Sequence, residues 1–168
     1  MYLLDSNVFI EAKNLYYGFD ICPGFWDWMD DAVQQRTATS IVKVYDELAK
    51  GKDELAEWVK DRKHNGFFLA VSDVATQQAF SQVMSFVQQA PYTEAAKAKF
   101  SGCADPWLIA KAISLKATIV THEKFEPGSK KRVLIPNVCQ KFNLTYMNTF
   151  DLLRECAASF VFKGMQKI

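Results

Sequence analysis

Two carboxylates stand directly after apolar segments that are predicted to be strands. Asp5 ends the run Tyr2-Leu3-Leu4, and Glu123 follows the β-branched segment 117–121. In open parallel sheets the carboxyl ends of the strands meet at one edge, which is where ligands bind. We therefore expect Asp5 and Glu123 to approach each other at that edge.

Two further acidic residues lie on predicted helices. In the predicted helix 40–50, helical periodicity puts Glu47 at the border of the apolar stripe and Asp46 towards solvent. Asp105 stands before Pro106, which favours a helix N-cap, and it shares the apolar face of the helix that follows. Each of these acids could have only a structural role, as a cap, a border residue or part of a turn.

The four carboxylates together favour a hard divalent cation. Two unit charges about 4 Å apart repel by about 4 kcal/mol at an effective dielectric near 20, so such a cluster takes up protons or binds a cation. Oxygen ligands, with no pattern of paired cysteines or histidines, favour Mg²⁺ or Mn²⁺ over zinc. Such ions hold phosphate oxygens and acidify water, which is the chemistry of phosphodiester hydrolysis.

Composition predicts one compact domain over residues 1–168. The chain has a formal net charge of +1 and is 49% hydrophobic, which excludes a disordered chain. It shows neither a membrane-spanning run nor a signal peptide, so a cytoplasmic location is expected. The four cysteines are expected to be reduced, buried and structural.

A basic segment follows the fourth acid. Its candidates for contacts with RNA phosphates are Lys124, Lys130, Lys131 and Arg132, although a solvated basic loop would look the same. His122 could act as a general acid or be an ordinary loop histidine.

The predicted elements alternate between strands and helices, which indicates a parallel sheet covered by helices on both faces. The expected strands are 2–4, 67–71, 117–121 and 144–147. The expected helices are 6–13, 25–36, 40–50 capped by Thr39 and Ser40, 53–64, 74–89 capped by Asp73, 93–99, 105–116, 137–142 and a last one from Asp151.

Four segments resemble, in order, the acidic motifs of PIN-domain nucleases: Tyr2-Leu3-Leu4-Asp5-Ser6-Asn7-Val8, Val44-Tyr45-Asp46-Glu47-Leu48, Ala104-Asp105-Pro106-Trp107-Leu108-Ile109-Ala110 and Ala117-Thr118-Ile119-Val120-Thr121-His122-Glu123. The ending 145–153 is similar to the last strand and helix of that family. The segment 52–100 is longer than in minimal toxins of this type and resembles a longer PIN-like branch.

The resemblance implies a three-layer α/β/α sandwich with a central parallel sheet. Family members are metal-dependent ribonucleases, and many are the toxins of VapBC-type toxin–antitoxin pairs. Carried over by position, the metal site would comprise Asp5, Glu47, Asp105 and Glu123, supported by Ser6 and Thr121. The family more often has Asp in the fourth position, so direct and water-mediated binding by Glu123 both stay open.

The leading hypothesis is an Mg²⁺- or Mn²⁺-dependent endoribonuclease that acts as the toxin of a type II pair. Its partners would be RNA and an antitoxin, with a homodimer left open. The antitoxin could land on the aromatic run Phe25, Trp26, Trp28 and Met29, which could equally be core. The alternatives are a housekeeping RNA-processing nuclease and a non-catalytic PIN-like binding module.

Overall fold

Short apolar segments, each followed by a helix, build a single parallel sheet. A computed structural model describes residues 1–161 of the chain. Within them five strands run in the spatial order β3-β2-β1-β4-β5, and every neighbouring pair is parallel. The strands are β1 Tyr2–Leu4, β2 Ala38–Ile41, β3 Phe68–Leu69, β4 Thr118–Val120 and β5 Tyr146–Met147. Helices flank the sheet, which confirms the expected α/β/α architecture.

The helices occupy most of the predicted positions. They are α1 Ser6–Glu11, α2 Pro23–Gln34, α3 Val42–Leu48, α4 Glu54–Asp61, α5 Val74–Gln89, α6 Glu94–Ser101, α7 Asp105–Leu115, α8 Ile135–Phe142 and α9 Thr149–Glu155. A π-helical segment, Ala12–Tyr16, continues α1. No helix of the described part of the chain is both long enough and apolar enough to span a membrane.

The order of the strands creates a switch point between β1 and β4. From β1 the chain moves outwards to β2 and β3, and it then returns to place β4 on the other side of β1. Leu3 pairs with Ile119 and Leu4 with Val120 across this junction. Because ligands of open parallel sheets bind beyond the strand ends at such a switch point, Asp5 and Glu123 lie where a site is expected.

The prediction that Thr39 and Ser40 cap a helix over 40–50 is wrong. Both residues lie in β2, all four residues of which are buried, and α3 begins only at Val42. The Thr39 hydroxyl donates to the carbonyl of Phe67 at 2.7 Å, and the Ser40 hydroxyl donates to the carbonyl of Leu4 at 2.6 Å. Hydroxyls that resemble caps are therefore satisfied by the neighbouring strands.

The aromatic run of α2 belongs to the core. Phe25, Trp26 and Met29 are no more than 3% exposed, so they present no surface to a partner, and Trp28 is half-buried. Phe25 also stacks on Tyr17 with ring centroids 4.4 Å apart. All four cysteines are free, as expected, but Cys139 alone among them is buried.

Candidate active site

Asp5 links the first strand, the first helix and the fourth strand. Its backbone nitrogen donates to the carbonyl of Val120 at 3.0 Å, which extends the pairing of β1 with β4. Its side chain caps α1 by accepting from the backbone nitrogen of Ser6 at 2.7 Å, and it accepts from the Thr121 hydroxyl at 2.9 Å. Asp5 is 3% exposed. The two residues expected to support the site, Ser6 and Thr121, therefore both contact its carboxylate.

Asp105 is the first residue of α7, not its N-cap. Ala104 occupies the cap position and makes no side-chain hydrogen bond there. Pro106 follows at the second position, where its missing N–H costs nothing. The prediction of a capping role is wrong, and the half-buried Asp105 side chain lines the cleft described below.

Glu47 and Glu123 each bind the N-terminal end of a helix. A Glu47 oxygen accepts from the backbone nitrogen of Ala104, before α7, at 2.7 Å. A Glu123 oxygen accepts from the backbone nitrogen of Ile135, the first residue of α8, also at 2.7 Å. Free N–H groups and the helix dipole stabilise negative charge at these positions, so the fold compensates part of the charge of the cluster.

All four carboxylates line one cleft with a volume of about 270 Å³ at the carboxyl edge of the sheet. They reach it from the ends of β1 and β4 and from helices α3 and α7. Its other lining residues are Ser6, Asn7, Ala96, Lys99, Phe100, Cys103, Lys131, Arg132 and Val133. Thr121 reaches the cleft through its hydrogen bond to Asp5.

Burial and mutual repulsion favour protonation of two of these acids. Burial, followed by repulsion from Asp105, raises the pKa of Asp5 to about 8. Burial, together with the charges of Glu123 and Glu47, raises the pKa of Asp105 to about 6, although a hydrogen bond with the Cys103 thiol opposes this shift. The acids of the cleft therefore repel one another, and a cation among them would lower the energy of their charged forms.

The chemistry of the donors fits a hard divalent cation, because the acidic side chains of the cleft offer oxygen atoms. No three Asp, Glu, His or Cys side chains in residues 1–161 are grouped closely enough to hold an ion as they stand. Instead, the carboxylates of Glu47, Glu123 and Asp5 each accept a hydrogen bond from the backbone N–H group of a different residue. These side chains would have to move towards one another to hold one ion together.

The four candidate RNA-binding residues do not share one surface. Lys131 and Arg132 line the carboxylate cleft, and an Arg132 nitrogen lies 3.3 Å from a Glu123 oxygen. The Arg132 side chain is 65% exposed, so this ion pair is weak and leaves the arginine available to an anion. Lys124 lines an adjoining pocket, and Lys130 lines a separate groove beside Phe86.

His122 does not line the carboxylate cleft. Its Nε2 lies 2.8 Å from the Thr149 hydroxyl, and its Nδ1 lies 3.5 Å from a Glu11 oxygen. The ring stacks against Tyr16. His122 lines the adjoining pocket instead, so the geometry gives no support to its predicted role as a general acid in the cleft.

Three cleft residues with polar side chains, Asn7, Lys99 and Cys103, were not predicted from the sequence. Asn7 donates to the Thr121 hydroxyl at 3.3 Å and accepts from the backbone nitrogen of His122 at 3.1 Å, so it fixes the loop after β4. Asn7 could have been predicted as a residue of the site, because it lies two residues after Asp5 at the exit of a strand. Lys99 and Cys103 lie on α6 and in the turn before α7, and no motif marks them.

Residues 2–160 match the model of a protein family described as "Domain of unknown function (DUF4411)". The chain belongs to the DUF4411 family. This family is PIN-like, which confirms the resemblance found in the sequence. A comparison with curated protein sequences finds no match to the chain.

Solved structures support the PIN-like fold of this DUF4411 protein. It is similar to a chain of the structure of VapBC2 from Rickettsia felis bound to a DNA fragment from their promoter, with a TM-score of 0.52, 14% identity and coverage of 88% of this chain and 97% of that one. It is also similar to a chain of FitAcB from Neisseria gonorrhoeae, with a TM-score of 0.51, 14% identity and coverage of 89% and 99%.

Proposed function

We propose that this DUF4411 protein is a metal-dependent endoribonuclease and the toxin of a toxin–antitoxin pair. The observation that carries the proposal is the convergence of Asp5, Glu47, Asp105 and Glu123 on one cleft at the switch point of the sheet. Burial and repulsion raise the pKa of Asp5 and of Asp105, which is the signature of a cluster suited to a cation.

Asp5, Glu47 and Asp105 would hold Mg²⁺ or Mn²⁺, and Glu123 would contribute to that ion or to a second one. When bound, such an ion supplies positive charge to a phosphate oxygen and acidifies water. The Thr121 hydroxyl holds the Asp5 carboxylate in place, and Lys131 and Arg132 attract the RNA backbone to the cleft.

Cleavage of RNA by the purified chain tests the proposal. We expect structured or unstructured RNA to be cut with Mn²⁺ and left intact with a chelator. Asp5→Asn and Asp105→Asn should each lower the rate by more than about 100-fold, since even residues behind a metal ligand contribute about 10- to 100-fold. Asp46→Asn is the matched control because Asp46 is exposed and adjacent to Glu47.

Circular dichroism and thermal unfolding should show that the variants stay folded. Cleavage at the wild-type rate by both Asp5→Asn and Asp105→Asn would remove the site assignment. Binding of RNA without any cleavage would favour a non-catalytic binding module, in which Asp5, Glu47 and Glu123 serve only to bind the N-terminal ends of helices.

The toxin role is supported by both similar structures, which are toxin–antitoxin complexes. We expect expression of the wild-type chain to arrest growth and a partner encoded by a small adjacent reading frame to relieve this arrest. Expression of Asp105→Asn should cause no arrest. Normal growth with the active wild-type chain would contradict the toxin role and favour a housekeeping RNA-processing nuclease.

A further inference from the structure

A second pocket adjoins the carboxylate cleft and has aromatic walls. Its volume is about 620 Å³, and Glu123 lines both this pocket and the cleft. Pockets of roughly 300 to 1,000 Å³ suit small organic groups. Its aromatic lining consists of Tyr16, His122, Phe125, Tyr146 and Phe150, and we call it the base pocket.

The rings of the base pocket hold one another in place. Tyr16 stacks on His122 with centroids 6.1 Å apart and an angle of 25°, and it meets Phe150 edge-on at 5.0 Å. The Thr149 hydroxyl fixes the imidazole of His122 at 2.8 Å. Tyr16 is 46% exposed despite these contacts, so a rigid aromatic surface remains open to a planar ligand.

The backbone places Tyr16 there through an irregular turn. In the π-helical segment Ala12–Tyr16 the backbone nitrogen of Tyr17 donates to the carbonyl of Ala12 at 2.6 Å, five residues earlier. Such a wide turn shifts the side chains after it relative to an α-helix, and π-helical turns are frequent at functional sites. The turn therefore delivers an exposed aromatic ring beside the cleft.

Glu11 is the available hydrogen-bond acceptor of the base pocket. Its carboxylate makes no hydrogen bond within residues 1–161, and its nearest cation-forming neighbour is His122 at 3.5 Å. The other carboxylate, Asp151, already accepts from Asn148 at 2.7 Å and from Arg154 at 3.0 Å. A carboxylate accepts hydrogen bonds and donates none. Among RNA bases guanine presents two adjacent N–H donors, at N1 and N2, which match two carboxylate oxygens.

We propose that the base pocket binds one unpaired guanine of the RNA, stacked against Tyr16 and hydrogen-bonded to Glu11, next to the phosphate held in the carboxylate cleft. This inference rests on the proposed function, because it assigns a neighbouring nucleotide of the same substrate. Stacking of splayed bases on aromatic rings is the common mode of single-stranded RNA recognition. Lys124 also lines the base pocket and would supply a positive charge to the phosphate of this nucleotide.

A titration monitored by NMR tests the base pocket without any cleavage. Guanosine, adenosine, cytidine and uridine are each added to the full chain in the presence of a chelator. We expect guanosine to bind most tightly. Tyr16→Ala should weaken its binding by about tenfold or more, the usual effect of losing one stacked base. Glu11→Gln should weaken guanosine and leave adenosine nearly unchanged. Leu15→Ala, which removes the neighbouring exposed side chain outside the base pocket, should change neither.

Equal affinity for the four nucleosides, no saturable binding at millimolar concentration, or unchanged binding by Tyr16→Ala would overturn the inference. The second result is also expected if a protein partner fills the base pocket, whereas the third would place guanosine at another site. The Asp105→Asn variant separates the two proposals, because it should lose cleavage and keep guanosine binding. A wild-type chain that binds guanosine but cuts no RNA would contradict the nuclease proposal alone.

Discussion

Asp5 and Asp105 make the stability of the chain depend on pH. The pKa of Asp5 is raised from its ordinary 3.8 to about 8, and that of Asp105 to about 6. The folded chain therefore binds protons more tightly than the unfolded chain. The resulting stabilisation is complete below the ordinary pKa and is lost as pH rises through the raised values.

We expect the free energy of unfolding in a chelator to fall as pH rises from about 5 to about 8. Urea denaturation at several pH values measures this decline. Asp5→Asn cannot titrate, so its profile should be flatter, whereas Asp46→Asn should follow the wild type. A wild-type profile that rises over this range would contradict the assigned pKa shift.

A divalent cation should reverse this dependence. Metal binding requires ionised carboxylates, so it competes with protons, and a ligand that binds the folded state stabilises it. We expect Mn²⁺ to raise the melting temperature more at about pH 8 than at about pH 6. The Asp105→Asn variant should show a much smaller effect at either pH. Equal stabilisation of this variant and the wild type would place the ion elsewhere.

At the scale of elements, the sequence predicts best where an element is defined by its own neighbours. Asp73 and Thr93 cap α5 and α6, as their side chains accept from the backbone nitrogens of Thr76 and Ala96. These bonds join residues three positions apart, so the signal is local. The placement of α5 was therefore predicted within its observed bounds.

The same reasoning fails where the partner is distant. Ser40 looks like a cap, but its hydroxyl donates to Leu4, 36 residues away. The sequence correctly places Glu47 at the border of an apolar stripe, although its helix starts later than predicted. The angular position of a residue around a helix depends on its spacing from its neighbours and not on where the helix begins. Lys99 enters the cleft through the packing of α6, which periodicity does not reveal.

A buried lysine links α7 to the N-terminal end of α5. Lys111 of α7 is 8% exposed and donates to Asp73, the cap of α5, at 2.7 Å. This hydrogen bond holds the pKa of Asp73 well below its usual range. Asp73 therefore contributes stability above its ordinary pKa, and that contribution disappears as pH falls.

Asp73→Ala removes a cap and leaves the Lys111 ammonium without this partner. We expect it to lower the free energy of unfolding by about 1 to 3 kcal/mol, because the Asp73 side chain is 46% exposed and water screens the ion pair, whereas the Lys111 side chain is only 10% exposed. The matched control is Asp53→Ala, which removes the cap of α4 and an ion pair with Lys13 that is more exposed, and which should cost only about 1 kcal/mol. Equal losses in urea denaturation would show that the burial of Lys111 has no effect.

At the scale of the whole molecule, the fold divides the basic segment between different surfaces. Lys131 and Arg132 line the cleft, whereas Lys130 lines another groove and its carbonyl accepts from Thr93. Adjacency in sequence therefore did not predict a common role. Because the overall net charge is only +1, attraction of the proposed RNA substrate would depend on such local groups.

Lys131→Gln and Arg132→Gln should each raise KM for RNA by about 3- to 10-fold, because each removes a positive charge beside the bound phosphate chain. Lys130→Gln is the matched control and should leave KM unchanged. Steady-state cleavage at fixed salt measures all three variants. A similar increase in KM for Lys130→Gln would mean that RNA also crosses the second groove.

The pairing of β1 with β4 has a consequence for synthesis. Asp5 and the Thr121 hydroxyl that binds it, at the end of the paired strand β4, lie 116 positions apart in the sequence. The cleft therefore cannot form before the segment that carries Glu123 has been synthesised.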